Sequence, residues 1–226
     1  MVDILEIDSS SVTPRELNRK IRSLHDEYDK IIINNPGAEH NLVAGLVGNG
    51  NIEINGSAGY FAGTMLDKAH LKIHGNAGWF VGDNMTSGEI IVEGSAGDGA
   101  GQGIYGGTLV VKKGVGSRTG EIMKGGTIII GGDSGFMSGI FMMGGRMIIL
   151  GNLGADAAES ILRGEIFVLG EIESLGKNAV TVDLTPEDKK SLKELLSQYE
   201  FKLSDDEYNN FTKIVAESSR PSHGLE

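Results

Sequence analysis

The sequence predicts an all-β solenoid: a right-handed parallel β-helix of about seven coils, with helices at both ends. Three observations carry this expectation. A glycine triplet, G-x-x-G-x-x-x-G, returns at a fixed spacing of nineteen residues. Two columns of the same period are filled by aliphatic side chains, mostly β-branched, and no segment inside the period has the 3.6-residue rhythm of a helix. Periods of this length belong to stacked repeats, each of which buries its apolar side only against its neighbours.

The triplet opens with Gly56, Gly59 and Gly63, then returns as Gly75, Gly78, Gly82 and as Gly94, Gly97, Gly101. It weakens to Gly116 and Gly120 and is whole again at Gly132, Gly135 and Gly139. A fourth glycine column holds Gly50, Gly88, Gly107, Gly126, Gly145 and Gly164. With Ile52 as position one, the first column reads Ile52, Leu71, Ile90, Leu109, Ile128, Met147, Ile166. The third reads Ile54, Ile73, Val92, Val111, Ile130, Ile149, Val168, so each coil carries one short strand with positions one and three facing inward.

Positions seven and eleven are mostly small, as in Ala58, Ala77, Ala62 and Val81, and position fifteen is bulky, as in Leu66, Met85 and Ile104. Three inward sides separated by glycine corners describe a coil that closes once per repeat. At about 4.8 Å per rung, about seven rungs make a rod of roughly 34 Å. Glycine is expected at the corners because a sharp turn needs positive φ, which a Cβ penalises. Lys113 and Ala158 interrupt two glycine columns, and local irregularity is expected there.

The chain divides into an N-terminal strand and helix appendage (1–30), the β-helix (31–175), and a C-terminal helical appendage and tail (176–226). Thr13-Pro14-Arg15-Glu16 is a capping box with proline at the first helical position, and Leu17, Ile21 and Leu24 follow on one face. Thr185-Pro186 starts a second helix bearing Leu192, Leu195 and Leu196; Ser204 with Glu207 caps a third bearing Phe211, Ile214 and Val215. The last residues, Ser-Ser-Arg-Pro-Ser-His-Gly onward, read as a loose tail. Position two of the coil faces outward and turns apolar along the rod, from Glu53 and Lys72 to Ile91, Val110, Ile129, Ile148 and Phe167. Such a stripe needs a cover, either the C-terminal helices or a partner subunit.

The formal net charge of −11, from 20 basic and 31 acidic residues, argues against nucleic-acid binding. The absence of cysteine excludes disulfides, thiolate zinc sites and cysteine-ligated iron–sulfur clusters in this chain. No leader-like segment and no apolar run near the ~20 residues of a membrane span occur, so the expected location is the cytoplasm.

Among motifs, Gly101-Gln102-Gly103-Ile104-Tyr105-Gly106 matches a dinucleotide fingerprint as a string, but a strand follows it where a helix is needed. No phosphate loop and no G-x-S-x-G nucleophile elbow occur. His70 and His74 lie across a strand and corner and are not expected to share a metal. Position thirteen (Thr64, Asp83, Gln102, Glu121, Ile140, Glu159) reads as a stacked polar ladder. Arg118 and Lys124 either bind an anion beside the Gly116–Gly120 corner or pair with neighbouring carboxylates. No catalytic, cofactor-binding or metal-binding residue is assigned. The candidate interface is Tyr60, Phe61, Trp79 and Phe80 at positions nine and ten: a stack that stiffens the solenoid, or a hot spot for a catalytic subunit or a second copy of the chain.

The tandem triplet, with Ala-Gly-Asp-Gly-Ala-Gly-Gln-Gly at 96–103, Gly-Ser-Arg-Thr-Gly at 116–120 and Met-Met-Gly-Gly-Arg at 142–146, resembles the GXGXG repeat family. That family includes the C-terminal domain of the glutamate synthase large subunit and one of the subunits of formylmethanofuran dehydrogenase. A short separate chain of this kind looks like the split glutamate synthase of archaea. The resemblance implies a scaffold that braces catalytic synthase and glutaminase subunits in glutamate biosynthesis. FMN and an iron–sulfur cluster are then expected on a partner chain and no cofactor on this one. The alternatives are the corresponding scaffold of a formylmethanofuran dehydrogenase and, from another class, a free-standing β-helix hydrolase or lyase.

Overall fold

The computed structural model describes residues 2–219. Its elements in chain order are β1 (Ile4–Asp8), α1 (Pro14–Leu24), β2 (Lys30–Asn34), β3 (Asn51–Asn55), β4 (His70–Ile73), β5 (Glu89–Val92), β6 (Thr108–Val111), β7 (Thr127–Ile130), β8 (Met143–Ile149), β9 (Arg163–Val168), β10 (Ala179–Val182), α2 (Pro186–Gln198) and β11 (Thr212–Ala216). The strands form one sheet in the order β1 to β9 and then β11-β10. β1 to β9 are parallel, each one coil above the last, which makes the body a parallel β-solenoid.

The register is the one the period predicts. Ile52, Leu71, Ile90, Leu109, Ile128, Met147 and Ile166 pair in succession, as do Ile54 to Val168 at position three. All fourteen are essentially inaccessible to solvent, and burying such a side chain contributes about 1.5–3 kcal/mol. The opposite wall is thinner: Ala58, Ala77 and Ala96 link by single parallel bridges, and Leu66, Met85, Ile104, Met123 and Met142 fill the space between. The coil that precedes Ile52 is two residues longer than nineteen, since Ile31 pairs with Ile52.

Two of the four glycine columns are left-handed as the sequence predicts, and the others are held for a different reason. Position twelve is left-handed, with Gly63, Gly82, Gly101, Gly120 and Gly139 at φ 65 to 78°, and so is the fourth column from Gly88 to Gly164, at φ 76 to 99°. The glycines of position eight, such as Gly78, Gly135 and Gly154, are not left-handed. They are required because a Cβ would stand 2.7 to 3.0 Å from backbone carbon of the rung below. Rungs stacked by direct amide bonds leave no room there for a side chain. The two interrupted columns are not rebuilt either. Lys113 lies outside the left-handed region and keeps its rung-to-rung bond to the Gly94 carbonyl at 3.2 Å, while Ala158 adopts the corner's own conformation at φ 57°.

Both ends are capped by the flanking segments. α1 starts at the expected capping box, Thr13 with Glu16, and buries Leu17 and Ile21 over the first coil. α2 starts at the equivalent box of Thr185 with Asp188. The predicted third helix is corrected: Ser204 does bind Glu207, but only a single 3-10 turn follows, at Glu207–Asn209. Thr212–Ala216 is then a strand, β11, antiparallel to β9. Its β-branched residues suit a strand, and pairing there covers the sheet edge left by the last coil. Of the predicted tail, Ser218 is tied to Asn178, its amide donating to Oδ1 at 3.1 Å, and the residues from Arg220 onward, with His223, lie outside the described residues.

The apolar stripe at position two is covered from within the chain. Val110, Ile129, Ile148 and Phe167 form a second core with Leu192, Leu196, Tyr199, Tyr208 and Phe211. An ionic cluster fastens this cover. Lys213 contacts Glu165 at 2.6 Å and Asp188 at 3.0 Å, and Arg146 donates to Ser191 at 2.6 Å. Burial pulls the Lys213 ammonium toward losing its proton, but the two carboxylates outweigh it and hold its pKa above the ordinary lysine value.

Candidate interaction surface

Two faces of the rod carry the polar and aromatic groups singled out in the sequence. On the strand face of the first coils, at the edge of the C-terminal cover, Glu53, His70, Lys72 and Glu89 line a groove of about 310 Å³. Its charges are committed to one another. Lys30 and His74 reach Glu53 at 2.6 and 3.0 Å, Lys72 reaches Glu93 at 2.9 Å, and His70 lies 3.5 Å from Glu89. The bond from Lys30, and then that from His74, hold the Glu53 carboxyl below its ordinary range, so it is an acceptor at neutral pH. Tyr199 closes the groove by donating to Glu89 at 2.7 Å; burial first and this bond second push its phenol up to about 12. The groove is a ladder of ion pairs between successive coils, tied to the cover by the Tyr199 hydrogen bond.

The other face runs from position nine to position sixteen. Its backbone alternates in a way the sequence hides. Position ten is left-handed in every coil from Phe61 to Asp156, and so is position fourteen, from Met65 to Ser160. Together with position twelve this places three left-handed residues in each coil at intervals of two. The amides of these segments run along the rod: Phe61 and Met65 donate to Trp79 and Asp83 of the next coil, Gly63 and Asp67 to Leu42 and Leu46 of the previous one. Rung-to-rung bonding in both directions is what holds bulky residues in a conformation that costs them about 1 kcal/mol or more each. In the third coil all three positions are glycine, Gly99, Gly101 and Gly103.

The predicted interface residues form two stacks on this face. His40, Tyr60 and Trp79 lie ring over ring with centroids 4.5 and 5.0 Å apart, the last pair within 3° of parallel. His40 accepts the Tyr60 amide at Nδ1, which leaves its proton on Nε2. Phe61 stacks on Phe80 at 5.0 Å. Both stacks end on glycine: a Cβ on Gly97 would stand 2.2 Å from the Trp79 ring, and one on Gly99 would stand 2.4 Å from the Phe80 ring. The aromatics therefore brace the first coils against the third. They also remain open to solvent, Trp79 at 46% and Tyr60 at 38%.

Farther along, Tyr105, Phe136, Phe141 and Met143 are exposed on the same face, a continuation that sequence reasoning missed. The signal was there in position nine (Phe136), fourteen (Met65, Phe141) and sixteen (Tyr105, Met143), but without the left-handed columns nothing indicated that these side chains point outward. Lys124 does not join an anion site with Arg118; it sits over the Tyr105 ring at 4.1 Å. Asp83 of position thirteen is buried and accepts from Thr64 at 3.1 Å and Asn84 at 3.0 Å. His70 and His74 go to separate carboxylates. Among the described residues no helix is long and apolar enough to cross a membrane, and no cluster of His, Cys, Asp and Glu suits a metal ion.

Comparison with known proteins gives a consistent picture. No curated protein matches the sequence. A solved structure that it resembles is a chain of the formyltransferase/hydrolase complex (FhcABCD) from Methylorubrum extorquens, determined in complex with methylofuran. The two are 24% identical over 87% of this chain and 84% of that one, with a TM-score of 0.71, a likeness of fold. The profile of the GXGXG motif family matches residues 32–216, from β2 through β11, and the chain belongs to that family.

Proposed function

We propose that this chain is a scaffold subunit of a multi-chain enzyme in the cytoplasm, and that the enzyme is of the formyltransferase/hydrolase kind rather than a glutamate synthase. The observation that carries this reading is the match to one chain of such a complex over 87% of this chain and 84% of that one. Family membership supports the role of subunit. The polar groups on the strand face, tied into ion pairs between successive coils, support a bracing role over a catalytic one. In this reading the chain binds no cofactor of its own. FMN and an iron–sulfur cluster on a synthase partner belong to the glutamate synthase alternative.

The test is to tag the chain at its native locus, purify it under mild conditions and identify the companion chains by mass spectrometry, with flavin and iron measured on the same sample. Companions with formyltransferase or hydrolase sequences and no flavin are expected. A flavin-containing synthase chain with a glutaminase overturns the choice of enzyme, and a chain that elutes alone and hydrolyses a substrate overturns the scaffold role.

A further inference from the structure

The face from position nine to position sixteen combines two costs that a purely structural surface has no reason to combine. It exposes large apolar side chains, and it holds several of them in the left-handed region. Met65 and Phe141 are 60% and 45% exposed at φ 54 and 55°. Glycine is the residue that this backbone favours, as Gly103 at the same position shows. Yet an exposed phenylalanine or methionine gains little from burial within its own chain.

Charge adds direction. Arg118 stands exposed on the fourth coil, also left-handed, between the aromatic groups of the first two coils and Phe136 and Phe141 of the fifth. Among the described residues its guanidinium has no ion-pair or hydrogen-bond partner. Of the acids beside it, Asp98 accepts the Ser117 amide at 2.8 Å, and Glu121, whose amide donates to the Arg118 carbonyl at 3.1 Å, forms no ion pair with the guanidinium. Exposed Trp, Tyr, Phe and Met around one free arginine is the composition of an interface core.

A second copy of the chain is a poor occupant. A two-fold contact centred on this face brings Arg118 against Arg118, and joins two bodies that each carry a net charge of −11. We infer that this face docks a different protein chain, one that presents an apolar surface with a carboxylate positioned to receive the Arg118 guanidinium. The inference rests on the subunit reading above and names the surface and chemistry of its contact.

The experiment uses glycine as the probe, because glycine relieves the backbone at these positions. Met65→Gly, Arg118→Gly and Phe141→Gly are combined in the full chain, and the variant is compared with wild type in two measurements: thermal melting of the chain alone, and assembly with the companion chains by native mass spectrometry and titration. Melting within a few degrees of wild type, together with at least a hundredfold loss of affinity, is expected. Arg118→Glu alone should lose at least tenfold. Assembly at wild-type affinity overturns the inference while leaving the scaffold reading intact. A wild-type chain that assembles with nothing overturns both. A wild-type homodimer that the triple variant breaks overturns the choice of occupant.

Discussion

Positions one to four and positions ten to fourteen belong to the same nineteen-residue coil, yet the two segments hold their shape by opposite means. The strand segment is specified by side chains. Its inward residues are β-branched or aliphatic, its backbone is ordinary extended chain, and its outward stripe is covered by α2 and the 3-10 turn after it. The other segment is specified by backbone. Its amides bridge to the coils on both sides, three of its residues are left-handed, and its outward side chains meet solvent. A repeat protein can thus vary its side chains freely on the face where amide bonding alone fixes the conformation, and only narrowly where packing fixes it.

The largest test of this contrast is a charge in each setting. Val92→Asp places a carboxylate in a fully buried column with no partner and is expected to abolish folding, a cost above the ~5 kcal/mol that a marginal domain can lose. Lys72→Asp lies one position from an inward column but faces out. It removes the pair with Glu93 and brings a second carboxylate near Glu53 and Glu93, so a loss of about 1 kcal/mol is expected. Circular dichroism melts separate these outcomes. Similar losses would mean that the strand face is not side-chain specified.

Glycine-to-alanine substitutions sharpen the comparison by separating contact from conformation. Gly88 has both constraints, at φ 87° with a Cβ that would stand 2.2 Å from the Ala69 carbonyl oxygen, and Gly88→Ala is expected to cost about 3 kcal/mol or more. Gly75 is constrained by contact alone, with backbone of Gly56 and Ser57 at 2.7 Å from the missing Cβ; Gly75→Ala should cost about 2 to 3 kcal/mol. Gly82 is constrained mainly by conformation, at φ 70° with Ile90 Cδ1 at 3.3 Å, and Gly82→Ala should cost about 1 to 2 kcal/mol. Chemical denaturation measures all three. An order with Gly82→Ala above Gly75→Ala would show that left-handed φ, not rung spacing, places the glycines.

The cover over the strand face responds to pH at both extremes. Burial works to raise the pKa of Asp188, but the Thr185 amide and Lys213 together lower it beneath its ordinary 3.8. A lowered acid contributes stability above its unfolded pKa and loses it as pH falls through the folded one, so the cover should loosen below about pH 4. Tyr199 works in the other direction. Its phenol is raised from 10.0 to about 12, so its contribution is complete below 10 and is lost as pH rises toward 12. Asp188→Asn should flatten the acid limb of a melting-temperature profile and Tyr199→Phe the alkaline limb. Unchanged limbs would show that the cover is held by its apolar contacts alone.

The side-chain-specified face was legible in the sequence. The columns from Ile52 to Ile166 and from Ile54 to Val168 gave register and burial, and Thr13 and Thr185 gave both helix starts. The backbone-specified face was not, because position ten reads Phe61, Phe80, Gly99, Arg118, Met137, Asp156, and nothing in that list but Gly99 points to positive φ. The aromatic column of Tyr60 and Trp79 was visible as a cluster, though not that it would end on Gly97. The end of the chain misled for a different reason. Phe211, Ile214 and Val215 have helical spacing, and what decides for a strand is the unpaired edge of β9, far away in sequence.

The smallest predicted effect bears most directly on the contrast between the faces. Ile122, at position fourteen of the fourth coil, is β-branched and left-handed at φ 54°, a combination that costs about 1 to 2 kcal/mol in strain. It is only partly buried, so replacing it removes a modest apolar contact. Its amide donates to Ile140 at 2.9 Å whatever the side chain. Ile122→Gly therefore relieves strain, gives up part of one side chain's burial, and adds the freedom of glycine to the unfolded chain, about 0.5–1 kcal/mol. These terms nearly cancel, and a change within about 1 kcal/mol is expected where the same substitution at Ile128, fully buried at position one, costs several. A loss at Ile122 as large as at Ile128 would mean that side-chain packing, not amide bonding between coils, also governs the left-handed face.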